Sequence, residues 1–185
     1  MATAALISIS YLIGSLPFAV IVSRAFALPD PRSYGSGNPG ATNVLRTGKK
    51  AAAALTLIGD AAKGALALWL ARRWAPEFEV GEIALAAVGF AAFVGHLFPV
   101  YFHFKGGKGV STAAGILLVL DVRIAGVVLL VWLLTLFALR FSSLASIVAA
   151  LAAPVATYYF LGSGPFVWTV MAMTVLLLWR HRGNI

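Results

Sequence analysis

Residues 83–120 read IALAAVGFAAFVGHLFPVYFHFKGGKGVSTAAGILLVL. A predominantly apolar run, Ile83–Phe102, comes first. The glycine-rich basic stretch Lys105-Gly106-Gly107-Lys108-Gly109 follows, and then a second apolar run, Val110–Leu120. About 20 apolar residues make a helix long enough to cross the hydrocarbon core of a bilayer. Ile83–Phe102 meets that length, whereas Val110–Leu120, at about 11 residues, is too short to cross upright. A glycine loop cannot lie in lipid, because its backbone groups would go unsatisfied. The stretch therefore predicts a spanning helix, a polar loop at a membrane face and a short helix.

Five more apolar runs surround this one: about Ala4–Val22, Ala51–Ala71, Ile124–Leu139, Leu144–Leu161 and Pro165–Trp179. Together they predict an all-α, polytopic integral membrane protein. It is a bundle of seven transmembrane segments, six of them full spans, forming a single domain over residues 1–185. Composition agrees. Hydrophobic residues make up 61% of the chain and charged residues only 11%, against about 25% charged in ordinary globular domains. A water-soluble domain lacks its charged skin here. The first run competes with a signal peptide, since Ala25-Phe26-Ala27 resembles a cleavage site. No Lys or Arg precedes it, however, and it is longer than a signal core of about 7–15 residues. Cysteine is absent, which removes disulfides and thiolate chemistry.

The formal charge is +8, and its distribution gives an orientation. With the N-terminus outside and all seven segments crossing, the inner face holds ten basic residues: Arg24, Arg32, Arg46, Lys49, Lys50, Lys105, Lys108, Arg140, Arg180 and Arg182. The outer face holds Arg72, Arg73 and Arg123. Positive charge marks the cytoplasmic side. Asp30 is then the only acid expected on the inner face. Three polar, glycine-bearing segments, 32–50, 103–112 and 180–185, become co-facial. The excess charge fits phospholipid headgroups, and no nucleic-acid motif accompanies it.

Each polar segment has the chemistry of an anion site and also a plainer reading. In Gly35-Ser36-Gly37-Asn38-Pro39-Gly40-Ala41-Thr42-Asn43, the glycines let the backbone approach a ligand, and Ser36, Asn38, Thr42 and Asn43 add uncharged donors. Arg46, at helical spacing from Asn43, can grip a phosphate with two hydrogen bonds. The plainer reading is a turn followed by a helix capped at Thr42 or Asn43. Lys105 and Lys108 with Gly106, Gly107 and Gly109 stand at the start of the short helix, where free N–H groups and the helix dipole favour anions. The spacing is not that of a nucleotide P-loop. In the tail, His181 and Asn184 share one side of a helix. His181 is a candidate general base or phosphate donor, or else an interfacial anchor. His96 and His103 read as packing or hydrogen-bonded histidines. Asp60 and Lys63, within a span, read as an inward-facing ion pair, with Lys63 also a candidate ligand contact. Ser142 and Ser143 either cap the helix that follows or donate to a ligand. No motif supplies a metal site, and no metal or cofactor is expected. A positive, glycine-lined, carboxylate-poor site is suited to phosphate and to charge stabilisation without a metal.

Residues 35–43 with Arg46 resemble the first motif of the bacterial acyl-phosphate:glycerol-3-phosphate acyltransferases, the PlsY family. Residues 95–110, GHLFPVYFHFKGGKGV, resemble the second, and residues 180–185, RHRGNI, the start of the third. In the family the third motif continues through a further basic stretch to a Gly and a Glu. Residues 180–185 reach only the start of that motif, and no role for that Glu is placed. The resemblance implies an inner-membrane enzyme with its three motifs on the cytoplasmic side. It would move a fatty acyl group from acyl phosphate to the 1-hydroxyl of sn-glycerol 3-phosphate, giving lysophosphatidate and inorganic phosphate. No Asp lies five residues after any histidine, in keeping with a class distinct from the H-x-x-x-x-D acyltransferases. His181, Asn184, Lys105 and Ser36 are the residues expected in the chemistry. Ser36, Gly37, Asn38, Gly40, Thr42, Asn43, Arg46, Lys63, Lys105, Gly106, Gly107, Lys108, Gly109, Ser142, His181 and Asn184 are those expected to hold substrate. The glycerol hydroxyl would attack the acyl carbon directly, with His181 or a substrate phosphate taking its proton, and the acyl chain would lie in an apolar groove open to lipid. A monomer in membrane lipid is expected. The rival expectation is a transporter or binding protein for a phosphorylated solute.

Overall fold

A computed structural model describes residues 1–185 as nine α-helices and no strands. They are α1 (Ala2–Gly14), α2 (Phe18–Ala25), α3 (Ala41–Leu45), α4 (Lys50–Trp74), α5 (Glu82–Leu97), α6 (Val110–Leu120), α7 (Val122–Leu139), α8 (Ser142–Leu161) and α9 (Pro165–Arg180). A 3-10 turn, Val100–Phe102, follows α5. The expected segments map onto α1–α2, α4, α5, α6, α7, α8 and α9.

Two expectations change. The first run is not one helix: it breaks between Gly14 and Phe18, where Pro17 has no N–H to continue the ladder and disfavours a helical residue before it. Five segments rather than six are long and apolar enough to cross a membrane; α6 and α9 are both shorter. They are short for the same reason. The start of α6 and the end of α9 meet at a polar cleft sunk into the bundle.

The recess follows from how α6 packs. Gly64 of α4 faces Thr112 and Ile116, and Gly115 of α6 faces the backbone of Ala61. Arg72, near the end of α4, donates to the carbonyls of Val119 and Leu120 at the end of α6. The two helices thus run parallel, and α6 begins level with the turn Leu57–Ala61, roughly 10–16 Å along the axis from Lys50 at a rise of 1.5 Å per residue. Small residues at the contact allow this closeness, as is usual between helices in lipid.

Phe93, Leu97, Ile116, Leu117, Met173 and Leu177 form the centre of the core between α5, α6 and α9. Helix α7 stands at the edge and packs on α8; Ile124 is its one buried residue, while Leu129, Leu134 and Phe137 point outward. Apolar surface of this kind is stable only against lipid.

Candidate functional site

The three polar segments do converge. With the start of α8 they enclose a cleft of about 330 Å³, bordered by Ser36, Asn38, Gly40, Thr42, Asn43, Arg46, Lys108, Gly109, Ser142, His181 and Asn184 of the expected residues. Five expected residues do not border it: Gly37, Lys63, Lys105, Gly106 and Gly107. The last four surround a much smaller pocket, of about 20 Å³, against the break between α1 and α2.

Local geometry explains the division. Asn43 is buried and organises its own loop: its Oδ1 accepts from the Ser36 N–H at 3.0 Å, and its Nδ2 donates to the carbonyls of Pro31 at 2.6 Å and Tyr34 at 3.1 Å. Its amide is committed before any ligand arrives. Gly35, at φ +59°, has no room for a side chain beside Asn43 and Arg46. Thr42 and Asn43 do not cap a helix, since α3 starts at Ala41 behind Gly40.

In the second segment, the N–H of Gly106 donates to Leu97 O and that of Gly107 to His96 O, both at 3.2 Å. These amides, expected to face phosphate, are occupied. The pair is glycine because a Cβ at Gly106 would strike the His96 carbonyl, and one at Gly107 the His96 ring. Arg180 grips the same turn from the other side, through Nε to Gly107 O at 3.0 Å and through Nη2 to Gly106 O. The amides of Val110, Ser111 and Thr112 in the first turn of α6 have no backbone acceptor, and Val110 and Ser111 border the cleft. Free N–H groups at the start of a helix are suited to an anion.

The tail completes the wall. His181 is buried, and its Nδ1 lies 2.9 Å from Leu177 O. A carbonyl only accepts, so Nδ1 carries the proton and Nε2 is left as the acceptor nitrogen. Burial, and after it the charges of Lys108 and Arg180, hold the imidazole below the ordinary histidine range despite the Leu177 hydrogen bond. Lys108 donates to Asn184 Oδ1; burial, then Arg180, lowers its ammonium as well. Ser142 makes no side-chain cap to α8, which leaves its hydroxyl at the cleft.

Sequence reasoning missed several wall residues. Asp60 and His96 border the cleft. Asp60 reaches it from within a span, whereas Asp30, the acid expected on the inner face, pairs with Arg32 at 2.6 Å and does not border the cleft. The expected inward pair exists: Lys63 Nζ lies 2.8 Å from Asp60 Oδ1. It also donates to Leu16 O at 2.7 Å, a carbonyl at the break before α2. Lys63 is spent on structure. His96 packs as expected, with Nδ1 3.5 Å from Asp60 Oδ1. His103 does not; it is exposed, at φ +51°. Arg140 and Trp132 also border the cleft; no motif flagged them, and only Arg140's inner-face charge hinted at a role.

A second, apolar groove of about 320 Å³ runs between α4, α6, α7, α8 and α9. Leu57, Val110, Ser111, Trp132 and Ser146 border both cavities. At this neck Trp132 Nε1 donates to Ser146 Oγ at 3.1 Å. A molecule with an anionic head and a long apolar tail fits the pair, its head among Arg46, Lys108 and Arg140.

Comparison with known proteins agrees in kind. A family model described as glycerol-3-phosphate acyltransferase matches residues 4–185. A glycerol-3-phosphate acyltransferase of Burkholderia vietnamiensis is 58% identical over 179 residues, covering 96% of this chain and 82% of that protein. One of Neisseria meningitidis serogroup B is 55% identical, covering 97% and 90%. Among solved structures, PlsY, an integral membrane glycerol 3-phosphate acyltransferase, superimposes in its glycerol 3-phosphate form with a TM-score of 0.91 at 33% identity, covering 100% of this chain and 90% of that one. Its lysophosphatidic acid form gives 0.90.

Proposed function

The chain belongs to the glycerol-3-phosphate acyltransferase family, and on that premise we propose that its acyl donor is acyl phosphate and that the reaction takes place where the cleft meets the groove. It is an integral membrane acyltransferase that acylates glycerol 3-phosphate; transport of a phosphorylated solute is not favoured. The donor and the roles of individual residues are our reading. The observation that carries it is the neck at Trp132 and Ser146, which joins a cationic cleft to an apolar groove.

Acyl phosphate is a mixed anhydride, so no enzyme nucleophile is needed. The 1-hydroxyl oxygen of glycerol 3-phosphate forms a bond to the acyl carbon. The bond from that carbon to the phosphate oxygen breaks, and inorganic phosphate leaves with the electron pair. His181 Nε2 takes the hydroxyl proton, a role supported by the Leu177 hydrogen bond that leaves this nitrogen unprotonated. Lys108, oriented by Asn184, and the first turn of α6 stabilise one phosphate. Ser36, Thr42, Arg46 and Ser142 hold the other, with Asn38 and Gly40 beside them. Gly37 and Asn43 shape that loop, as Gly106, Gly107 and Gly109 shape the second. Lys105 and Lys63 act from outside the cleft. Holding both substrates at the neck supplies much of the rate.

We further read the whole chain as one domain, acting as a monomer in the bacterial inner membrane. Its N-terminus lies outside and its cleft faces the cytoplasm, in line with the ten-to-three distribution of basic residues. The test is phosphate release by the purified protein in lipid with palmitoyl phosphate and glycerol 3-phosphate. Release that needs both substrates, yields lysophosphatidate and fails with palmitoyl-CoA is expected. Acylation from palmitoyl-CoA alone would overturn the donor assignment.

A further inference from the structure

Asp60 is the one carboxylate bordering the cleft. Side-chain donors dominate the rest of the wall: Ser36, Thr42, Arg46, Lys108 and Arg140 suit a phosphate. A glycerol backbone also brings hydroxyl protons, and these need acceptors. Asp60 is anchored to be one. Lys63 approaches its Oδ1 at 2.8 Å and His96 at 3.5 Å; Lys63 lines only the small pocket beside the break before α2, whereas His96 borders both that pocket and the cleft. Oδ2 takes no hydrogen bond from the protein and is not among the side-chain atoms sealed off without a partner. A carboxylate within a membrane-embedded helix is retained for pairing or for function; here the pairing occupies one oxygen and leaves the other.

Position narrows the choice of hydroxyl. Asp60 borders the cleft but not the apolar groove, whereas Leu57, one helical turn before it, borders both. The acyl carbon, and with it the attacking 1-hydroxyl, belongs at the neck. Asp60 stands about one turn, roughly 5 Å, further along α4, within side-chain reach of a hydroxyl on the carbon next to a 1-hydroxyl held at the neck. We propose that Asp60 Oδ2 accepts a hydrogen bond from the non-reacting C2 hydroxyl of glycerol 3-phosphate. Asp60 is thereby a specificity residue that selects a vicinal diol over a simple hydroxyalkyl phosphate. The assignment rests on the reading of the reaction given above.

The test compares glycerol 3-phosphate with 3-hydroxypropyl phosphate, which lacks only the C2 hydroxyl, using palmitoyl phosphate and the full chain in lipid. Wild type is expected to favour glycerol 3-phosphate in kcat/KM. Asp60→Asn is expected to lower that preference by about 10–100-fold, the value of one hydrogen bond to a charged acceptor. A merely structural role slows both substrates alike and leaves the ratio unchanged, which would overturn the proposal, as would a wild type with no preference. If Asp60→Asn does not fold, Asp60→Asn/Lys63→Gln, which removes both charges of the pair, is expected to show the same loss of preference. A folded wild type inactive on glycerol 3-phosphate would overturn the underlying reaction instead; an active one with an unchanged ratio overturns only the role of Asp60.

Discussion

The Arg180 guanidinium donates to the carbonyl oxygen of Gly107 at 3.0 Å and also reaches that of Gly106. One planar fork therefore fixes two consecutive glycines, whose own N–H groups are tied to α5 on the other side. The residue beside the candidate base is a clamp on the loop that carries Lys108. A lysine has no such fork. Arg180→Lys is expected to lower kcat/KM for both substrates by about 10–100-fold, the loss of one charge-assisted hydrogen bond, with helicity by circular dichroism unchanged. Wild-type kinetics in Arg180→Lys would show that the clamp has no bearing on catalysis.

His181 gives a pH dependence. The base must be neutral, and burial followed by the charges of Lys108 and Arg180 lowers its pKa. A lowered pKa keeps the neutral form present further into acid. The acid limb of kcat is expected to fall with a midpoint below about 6.5, the ordinary histidine value, and to vanish in His181→Ala. That variant is expected to lose about 10²–10⁴-fold in turnover. A change confined to the KM for glycerol 3-phosphate would make His181 a binding group.

The two motif lysines are expected to differ. Lys108 borders the cleft and meets Asn184, whereas Lys105 is exposed and faces only the small pocket. Lys108→Ala is expected to cost at least about tenfold more in kcat/KM than Lys105→Ala, in line with a desolvated charge against a solvated one. Equal losses would mean that Lys105 swings into the cleft during turnover.

The Asp60–Lys63 pair carries a stability prediction. Both side chains are only 3–4% exposed, and removing one partner of a buried pair costs about 3–5 kcal/mol. Lys63→Ala is expected to lower the melting temperature in detergent markedly and to reduce the folded yield, while Asp60→Asn/Lys63→Gln melts closer to wild type. A Lys63→Ala melt matching wild type would mean that water or lipid headgroups replace the ammonium.

Much of this architecture is legible in the sequence. Apolar runs name the helices because lipid forces backbone groups to pair within a segment. The three polar stretches pointed to one site because the distribution of basic residues sets them on one face. What composition does not encode is depth. Nothing in Val110–Leu120 says that it begins level with the turn Leu57–Ala61, so the recess and the place of Asp60 in the wall were hidden. Nor does a glycine reveal whether it frees an amide for a ligand or merely makes room: Gly106 and Gly107 make room, and only the His96 carbonyl and ring beside them say so. Trp132 carried no signal, because one tryptophan in an apolar run looks like lipid-facing surface until Ser146 is found opposite it.

The depth at which α6 begins has a kinetic consequence. A reacting centre roughly 10 Å down the axis of α4, at the level of Leu57, is reached by two routes of different dimensionality. The water-soluble partner descends from bulk solution and obeys an ordinary molar concentration. The greasy partner diffuses in the plane of the bilayer, so its effective concentration is a mole fraction of surface. Diluting the vesicles leaves the second supply untouched, while adding inert lipid at fixed volume starves it alone.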